Sequence, residues 1–71
     1  MYHRSIRNLT TGHPIATAGF DGPNPAGDAW EWMQETVAAE LECRPEQVGA
    51  IETDDGDVLT VDGVPVYKIG R

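Results

Sequence analysis

The chain has 71 residues, 12 of them acidic and five basic, and a formal net charge of −7 at pH 7. A chain this short makes one domain with a thin core, so we expect residues 1–71 to fold as a single unit. Its one cysteine excludes an internal disulfide, and no spacing of cysteine and histidine matches a structural zinc site. Because it also lacks an apolar run of about 18 residues and a secretory pattern, we expect a cytoplasmic protein.

The charges are unevenly distributed along the chain. Residues 1–20 carry Arg4, Arg7 and no acid, whereas residues 21–67 carry all 12 acids and a single base, Arg44. A strongly acidic middle section repels nucleic acid and anionic membranes and favours basic surfaces. We therefore expect protein partners and no direct binding to nucleic acid or membrane.

The first 20 residues have the pattern of two strands. The turn-forming sequence Thr10-Thr11-Gly12 separates two stretches that carry larger apolar residues, which are Ile6, Leu9, Ile15 and Phe20. This pattern predicts an N-terminal β-hairpin. The glycine- and proline-rich residues 21–28 then form a loop that leads into a helix.

Residues 24–42 are the one long segment with helical periodicity. Asn24 is expected to cap the first turn and Pro25 to occupy the first helical position, and Arg44-Pro45 is expected to end the helix. At about 100° per residue, one side of the helix is apolar and the other acidic. The apolar side consists of Ala26, Trp30, Met33, Val37 and Leu41, and the acidic side consists of Asp28, Glu31, Glu35 and Glu42.

After a single turn at residues 45–47, the sequence predicts three strands joined by two tight turns. Asp62-Gly63 is a two-residue turn signal that would pair Val61 with Val64 and Leu59 with Val66. Asp54-Asp55-Gly56 is interpreted as a three-residue turn, which would set Ile51 opposite Leu59. Leu59, Val61, Val64 and Val66 would then share one apolar face, which Ile51 continues onto the third strand.

Pro65 bears on the order of the strands. Because proline has no N–H to donate, we expect residues 64–69 to form an edge strand. Together the elements predict a small two-layer α+β domain, with one main helix packed on an antiparallel sheet of about three to five strands. The sheet would combine the N-terminal hairpin with a C-terminal three-stranded meander.

The helix carboxylates are the first candidate site. Their axial spacings, about 4.5, 6 and 10.5 Å, are on the scale of the phosphate spacing in nucleic acid. No lysine or arginine lies within the helix to compensate them. A second acidic group lies on the predicted strand ends and turns, at Glu52, Asp54, Asp55, Asp57 and Asp62. The alternative is that these acids only keep a small protein soluble.

Trp32 lies beside the acidic side of the helix. It is either a residue at the rim of the core or an apolar anchor in an interface, where tryptophan bordered by charge is common. The partner-binding residues that we expect are Asp28, Glu31, Trp32, Glu35, Glu42, Asp54, Asp55 and Asp57.

Other candidate sites are weaker. The acids around Gly56 do not match a calcium loop and are explained by turn chemistry. Cys43 follows the helix C-terminus, which disfavours a thiolate, so it is either a packed thiol or half of a disulfide between copies. His3 and His13 have no nucleophile or acid beside them, and a metal shared with Cys43 has no local support. We therefore expect no catalytic residue, metal or cofactor.

In its size, its row of helix acids and its turn acids, the chain resembles the small acidic α+β proteins of phages and mobile elements, in particular the anti-CRISPR proteins and other nucleic-acid mimics. The resemblance implies a stoichiometric, non-catalytic inhibitor in the cytoplasm of a bacterial host. Such an inhibitor would occupy the basic surface where a CRISPR effector, or another complex, holds nucleic acid. The alternative is a homodimeric structural or regulatory accessory domain, paired through residues 64–69, whose acidity serves solubility.

Overall fold

The computed structural model describes residues 1–70, in which one α-helix packs on one face of an antiparallel sheet. The elements are β1 (Tyr2–Asn8), β2 (Pro14–Phe20), α1 (Pro25–Leu41), a 3₁₀ turn (Pro45–Gln47), β3 (Val48–Thr53), β4 (Gly56–Val61) and β5 (Val64–Gly70). The strands are ordered β2-β1-β5-β4-β3. The predicted α+β class, the N-terminal hairpin and the C-terminal meander are confirmed.

The turn between β1 and β2 is closed by Asn8. Its Oδ1 accepts hydrogen bonds from the backbone N–H groups of Thr10 and Thr11, each at 2.9 Å. Gly12 follows at φ +76°, a conformation that side chains other than glycine rarely adopt. Thr11 Oγ1 also accepts a hydrogen bond from the N–H of His13 at 3.2 Å, so both side chains and backbone groups hold the turn.

Both ends of α1 agree with the predicted segment 24–42, and the residue that stops the helix is Glu42. Asn24 Oδ1 accepts a hydrogen bond from the N–H of Gly27 at 3.2 Å, and Pro25 is the first helical residue. The helix ends at Leu41, ahead of Arg44-Pro45, because Glu42 adopts the left-handed conformation at φ 54°. The N–H of Glu42 is still bonded to a carbonyl of the last turn, so the helix closes without a glycine.

The predicted apolar stripe of α1 is confirmed in its middle and not at its ends. The buried residues of α1 are Ala29, Met33, Val37 and Ala38. Trp30, a third member of the stripe beside Met33 and Val37, packs against the same core. Ala26, in the first turn, and Leu41, the last helical residue, are exposed.

The predicted register between β3 and β4 is wrong by one residue. Ile51 pairs with Val58 and not with Leu59, because the turn contains only Asp54 and Asp55 and Gly56 already belongs to β4. A shift of one residue moves every side chain to the other face. Ile51 therefore lies on the face away from α1 and is exposed.

The pairing of β4 with β5 is correct only beside the turn. Val61 pairs with Val64 as predicted, but Leu59 pairs with Tyr67 instead of Val66. A β-bulge at this point inserts Val66 as an extra residue. Because of the bulge, Val66 and Tyr67 both pack against the core.

The prediction that residues 64–69 form an edge strand is also wrong. β5 lies inside the sheet, paired with β4 on one side and with β1 on the other, where Asn8 meets Tyr67 and Ile6 meets Ile69. Pro65 precedes the part of β5 that pairs with β1, so its missing N–H removes no bond of that pairing. The sheet ends at β2 and β3. Within residues 64–69 only 64–66 lack a partner in β1, so the accessory-domain dimer expected through this segment has no continuous free edge.

The core lies between α1 and the middle strands. Its buried cluster consists of Ile6, Met33, Val37, Val48 and Leu59. Ile6 and Leu59 come from strands far apart in sequence that are joined through β5, so the core depends on the β1–β5 pairing. Across residues 1–70, no helix has the length and apolar character needed to cross a membrane.

Candidate functional site: the acidic face of the helix

Three carboxylates define the outer face of α1. Asp28, Glu31 and Glu35 are all exposed, and the helical rotation places them within about 60° of one another. The helical rise separates Asp28 from Glu35 by about 10.5 Å along the axis. Glu42 is exposed as well and lies just past the last helical residue. We call these four residues the acidic row.

The acidic row has no cation partner in the part of the chain that the structure describes. There, the single ion pair joins Arg44 to Glu46 at 4.0 Å, with both side chains largely exposed. Exposed pairs of this kind contribute little to stability. Like charges four residues apart on a helix, as at Glu31 and Glu35, repel each other. Counter-charge for the row therefore comes from solvent ions or from a partner.

Two of the cations lie on the far side of the sheet. Arg7 on β1 is directly opposite Lys68 on β5, next to core-facing Ile6 and Ile69 and hence on the face away from α1. Arg7 is held there by hydrogen bonds that it donates to Ser5 Oγ at 3.1 Å and to a turn carbonyl at 3.0 Å. The fold thus keeps these cations away from the acidic row.

Trp32 lies at the rim of the core. Its ring is 5.7 Å from that of Phe20 and inclined at 58°, and it packs against the buried cluster. The residue is only partly buried, and helical rotation places it about 40° from Asp28. Trp32 therefore holds the helix to β2 and also borders the acidic row.

The turn acids lie apart from the acidic row. Asp54 and Asp55 are at the tip of the β3–β4 hairpin, and Asp57 follows on β4; all three are exposed. Asp28, at the start of the helix, lies on the β2 side, four strand spacings or about 19 Å across the sheet from β3. Glu42, at the end of the row, precedes the start of β3, and the hairpin tip is at the other end of that strand, about 20 Å along it. The eight residues expected to bind a partner thus form two groups.

Glu40 is an acidic residue that the sequence analysis passed over. Burial and, to a lesser extent, the negative charge of Glu40 raise the pKa of Tyr67 above its ordinary value. Glu40 is itself exposed and lies in the last turn of α1. Its helical position, about 120° from Asp28, explains why the pattern gave no signal for it, since this direction points toward the sheet.

The weaker candidates do not assemble into a site. No cluster of three or more histidine, cysteine or acidic side chains suited to a metal ion occurs among residues 1–70. His3 and His13 lie at opposite ends of the N-terminal hairpin, and Cys43 is a free thiol that packs against the core. These three residues therefore do not come together as the ligands of one metal ion.

No protein-family model matches the chain, and neither a curated protein nor a solved structure matches it significantly. The arguments for function therefore come from geometry and charge. These single out one candidate surface, the acidic row bordered by Trp32, on a helix that packs against the sheet along its other side.

Proposed function

We propose that this protein is a stoichiometric inhibitor that uses the acidic row to bind the basic nucleic-acid-binding surface of another protein. The observation that carries the proposal is the exposed, uncompensated row of carboxylates on one face of α1. A structural surface of this size would ordinarily mix charges of both signs. Here the repulsion within the row is retained, which is understandable if a partner neutralises it.

The spacing of the row suits a surface that binds phosphates. Asp28, Glu31 and Glu35 rise by about 4.5 and 6 Å, a scale similar to the phosphate spacing in nucleic acid. Lysines and arginines arranged for phosphates would therefore meet carboxylates at comparable intervals. Such complementarity speeds association and weakens steeply with added salt.

The targets that we propose are complexes with a basic groove for DNA or RNA, of which CRISPR effectors are one kind. Support comes from the acidity and small size of the chain and from its rigid single helix. Trp32 would supply apolar contact at the margin of the row. No chemical step is part of this function, and inhibition would follow from occupancy of the groove.

The proposal is tested by a pull-down at two salt concentrations, followed by an assay of whether the protein competes with nucleic acid for the retained target. The immobilised protein is exposed to a bacterial lysate at about 0.1 M and about 0.5 M salt, between which the screening length falls from about 10 Å to about 4 Å. Proteins retained only at low salt are identified, purified and assayed for nucleic-acid binding with and without the inhibitor. We expect a nucleic-acid-binding complex whose binding is blocked at a one-to-one ratio.

Two double variants locate the surface. Glu31→Lys with Glu35→Lys alters the acidic row, and Asp54→Lys with Asp55→Lys alters the hairpin tip; each adds four charges and takes the net charge from −7 to −3. We expect the helix variant to lose inhibition and the hairpin variant to keep most of it. Equal loss in both would mean that only net charge matters, and undiminished inhibition by the helix variant would refute the proposal.

The accessory-domain alternative predicts a different result. If acidity serves only solubility, neither double variant changes partner binding, and retention is the same at both salt concentrations. The salt comparison therefore separates the two functions before any target is purified.

A further inference from the structure

The outer edge of β2 is a free strand edge. β2 pairs with β1 on one side, and the sheet ends there. Alternate residues of an edge strand direct their N–H and C=O groups away from the sheet, where they form a template for another strand. β2 spans seven residues, long enough for a stable pairing.

This edge carries no charge, and its irregular part is confined to the first residues of the strand, where the β1–β2 register shifts and leaves Ile15 as an extra residue. Residues 8–20 contain no lysine, arginine, aspartate or glutamate, and Pro14 is at the very start of the strand. The other edge is different, since β3 carries Glu52 and runs into Asp54 and Asp55. Charged residues are a common protection of strand edges. The fold thus protects β3 with charge and leaves the regular part of β2, residues 16–20, without such protection.

Apolar side chains border the same edge. Ile15 is 44% exposed and Met1 is 79% exposed. The side chain of Met1 lies over Gly19, since a Cβ placed on that glycine would be 2.6 Å from the Met1 sulfur. Phe20, partly buried against Trp32, ends the strand. A strand added to β2 would cover this apolar margin.

We propose that β2 is a dimerisation edge and that a second copy of this chain pairs with it in antiparallel orientation. Two copies of a protein with net charge −7 repel each other over most of their surfaces. β2 is the sheet edge at which two copies can meet without bringing charges of the same sign together. An antiparallel pair of identical strands satisfies two-fold symmetry, which closes the assembly at two copies.

The geometry of this dimer follows from the strand pairing. The two-fold axis is perpendicular to the sheet near Thr17, the central residue of β2, so the sheets join into one. Both copies of α1 then lie on the same side, and each Phe20 lies close to the junction. The added burial also supplements the thin core of a 71-residue chain.

The test measures molecular mass by sedimentation at protein concentrations up to about 1 mM, where even a pairing of about −4 kcal/mol is half formed. We expect the average mass of the wild-type protein to rise with concentration from 7.7 kDa toward twice that value. Thr17→Lys and Thr17→Glu each place like charges at the two-fold axis and are expected to remain monomeric. Their equimolar mixture is expected to recover the doubled mass, since opposite charges then meet at the junction.

Ile51→Lys on β3 is the matched control, because Ile51 is 46% exposed and also lies on an edge strand. We expect it to dimerise like the wild-type protein. A wild-type mass of 7.7 kDa at every concentration would overturn the proposal whatever the variants do. It would equally be overturned if Ile51→Lys abolished the dimer and Thr17→Lys did not, or if β2 captured only a strand of another protein.

Discussion

The rings of Phe20 and Trp32 lie 5.7 Å apart and are inclined at 58°, a geometry that joins the end of β2 to the second turn of α1. Tilted aromatic pairs at this distance contribute about 0.5–1.5 kcal/mol beyond the area they bury. We therefore expect a coupling free energy of about 1 kcal/mol between these residues in a double-mutant cycle of Phe20→Leu and Trp32→Leu, measured by urea unfolding. Strictly additive effects would show that the two rings have no interaction energy beyond the separate packing of each one.

The cap of α1 makes a second test of stability. Asn24→Ala removes the Oδ1 that accepts from the N–H of Gly27, and we expect it to lower the free energy of unfolding by about 1 kcal/mol. Asn24→Gly should cost only a few tenths, because glycine also suits this position and leaves the N–H open to water. Chemical unfolding of both variants measures the difference. Equal losses would mean that the side-chain bond contributes nothing.

Reversing one charge of the acidic row is expected to raise the stability of the fold and to weaken binding to the proposed target. Glu35→Lys replaces a repulsive pair with Glu31 by an attractive one in the favourable order, so we expect it to stabilise the fold by about 0.2–0.5 kcal/mol at low salt. The same variant is expected to bind the proposed target less tightly. The unfolding midpoint at low and high salt gives the first quantity and a titration with the target gives the second. A variant that loses stability and binding together would indicate a structural role for Glu35.

Local signals in the sequence were sufficient for the elements and insufficient for their arrangement. Asn24 and Pro25 fix the start of the helix through bonds within one turn, and Asp62-Gly63 fixes its hairpin in the same way. The pairing of β1 with β5 joins residues 59 to 65 positions apart, and no turn connects them. Pro65 predicts an edge strand, although it lies just outside the segment of β5 that pairs with β1.

Two registers also depend on tertiary packing. The turn at Asp54-Asp55 differs by one residue from the predicted turn because Gly56, at φ +115°, is accommodated inside the strand. The bulge at Val66 allows consecutive residues, Val66 and Tyr67, to reach the core. The acidic row required only helical periodicity and was predictable, whereas its separation from the turn acids depends on the strand order.

Tyr67 makes the fold sensitive to alkaline pH. Burial and the charge of Glu40 raise its pKa, so the folded state holds its proton at pH values where the unfolded chain has lost it. This contribution to stability is fully present below about pH 10, the ordinary tyrosine pKa, and is lost as the pH rises through the folded value. In a Tyr2→Phe background, ultraviolet titration should show Tyr67 ionising above its ordinary value. Glu40→Gln should lower that pKa only in part, since burial is the larger cause.

The same substitution at two leucines separates the predicted core from the observed one. Leu59 is 0% exposed, whereas Leu41 is 42% exposed although it belongs to the apolar stripe that the sequence predicts. Leu59→Ala leaves a cavity between α1 and the sheet, and we expect it to cost about 2–5 kcal/mol, enough to unfold a marginal domain of this size. Leu41→Ala is expected to cost about 0.5 kcal/mol or less. Thermal unfolding measures the loss of stability in both variants. Comparable losses would mean that Leu41 is buried between the helix and the sheet, as the periodicity alone suggests.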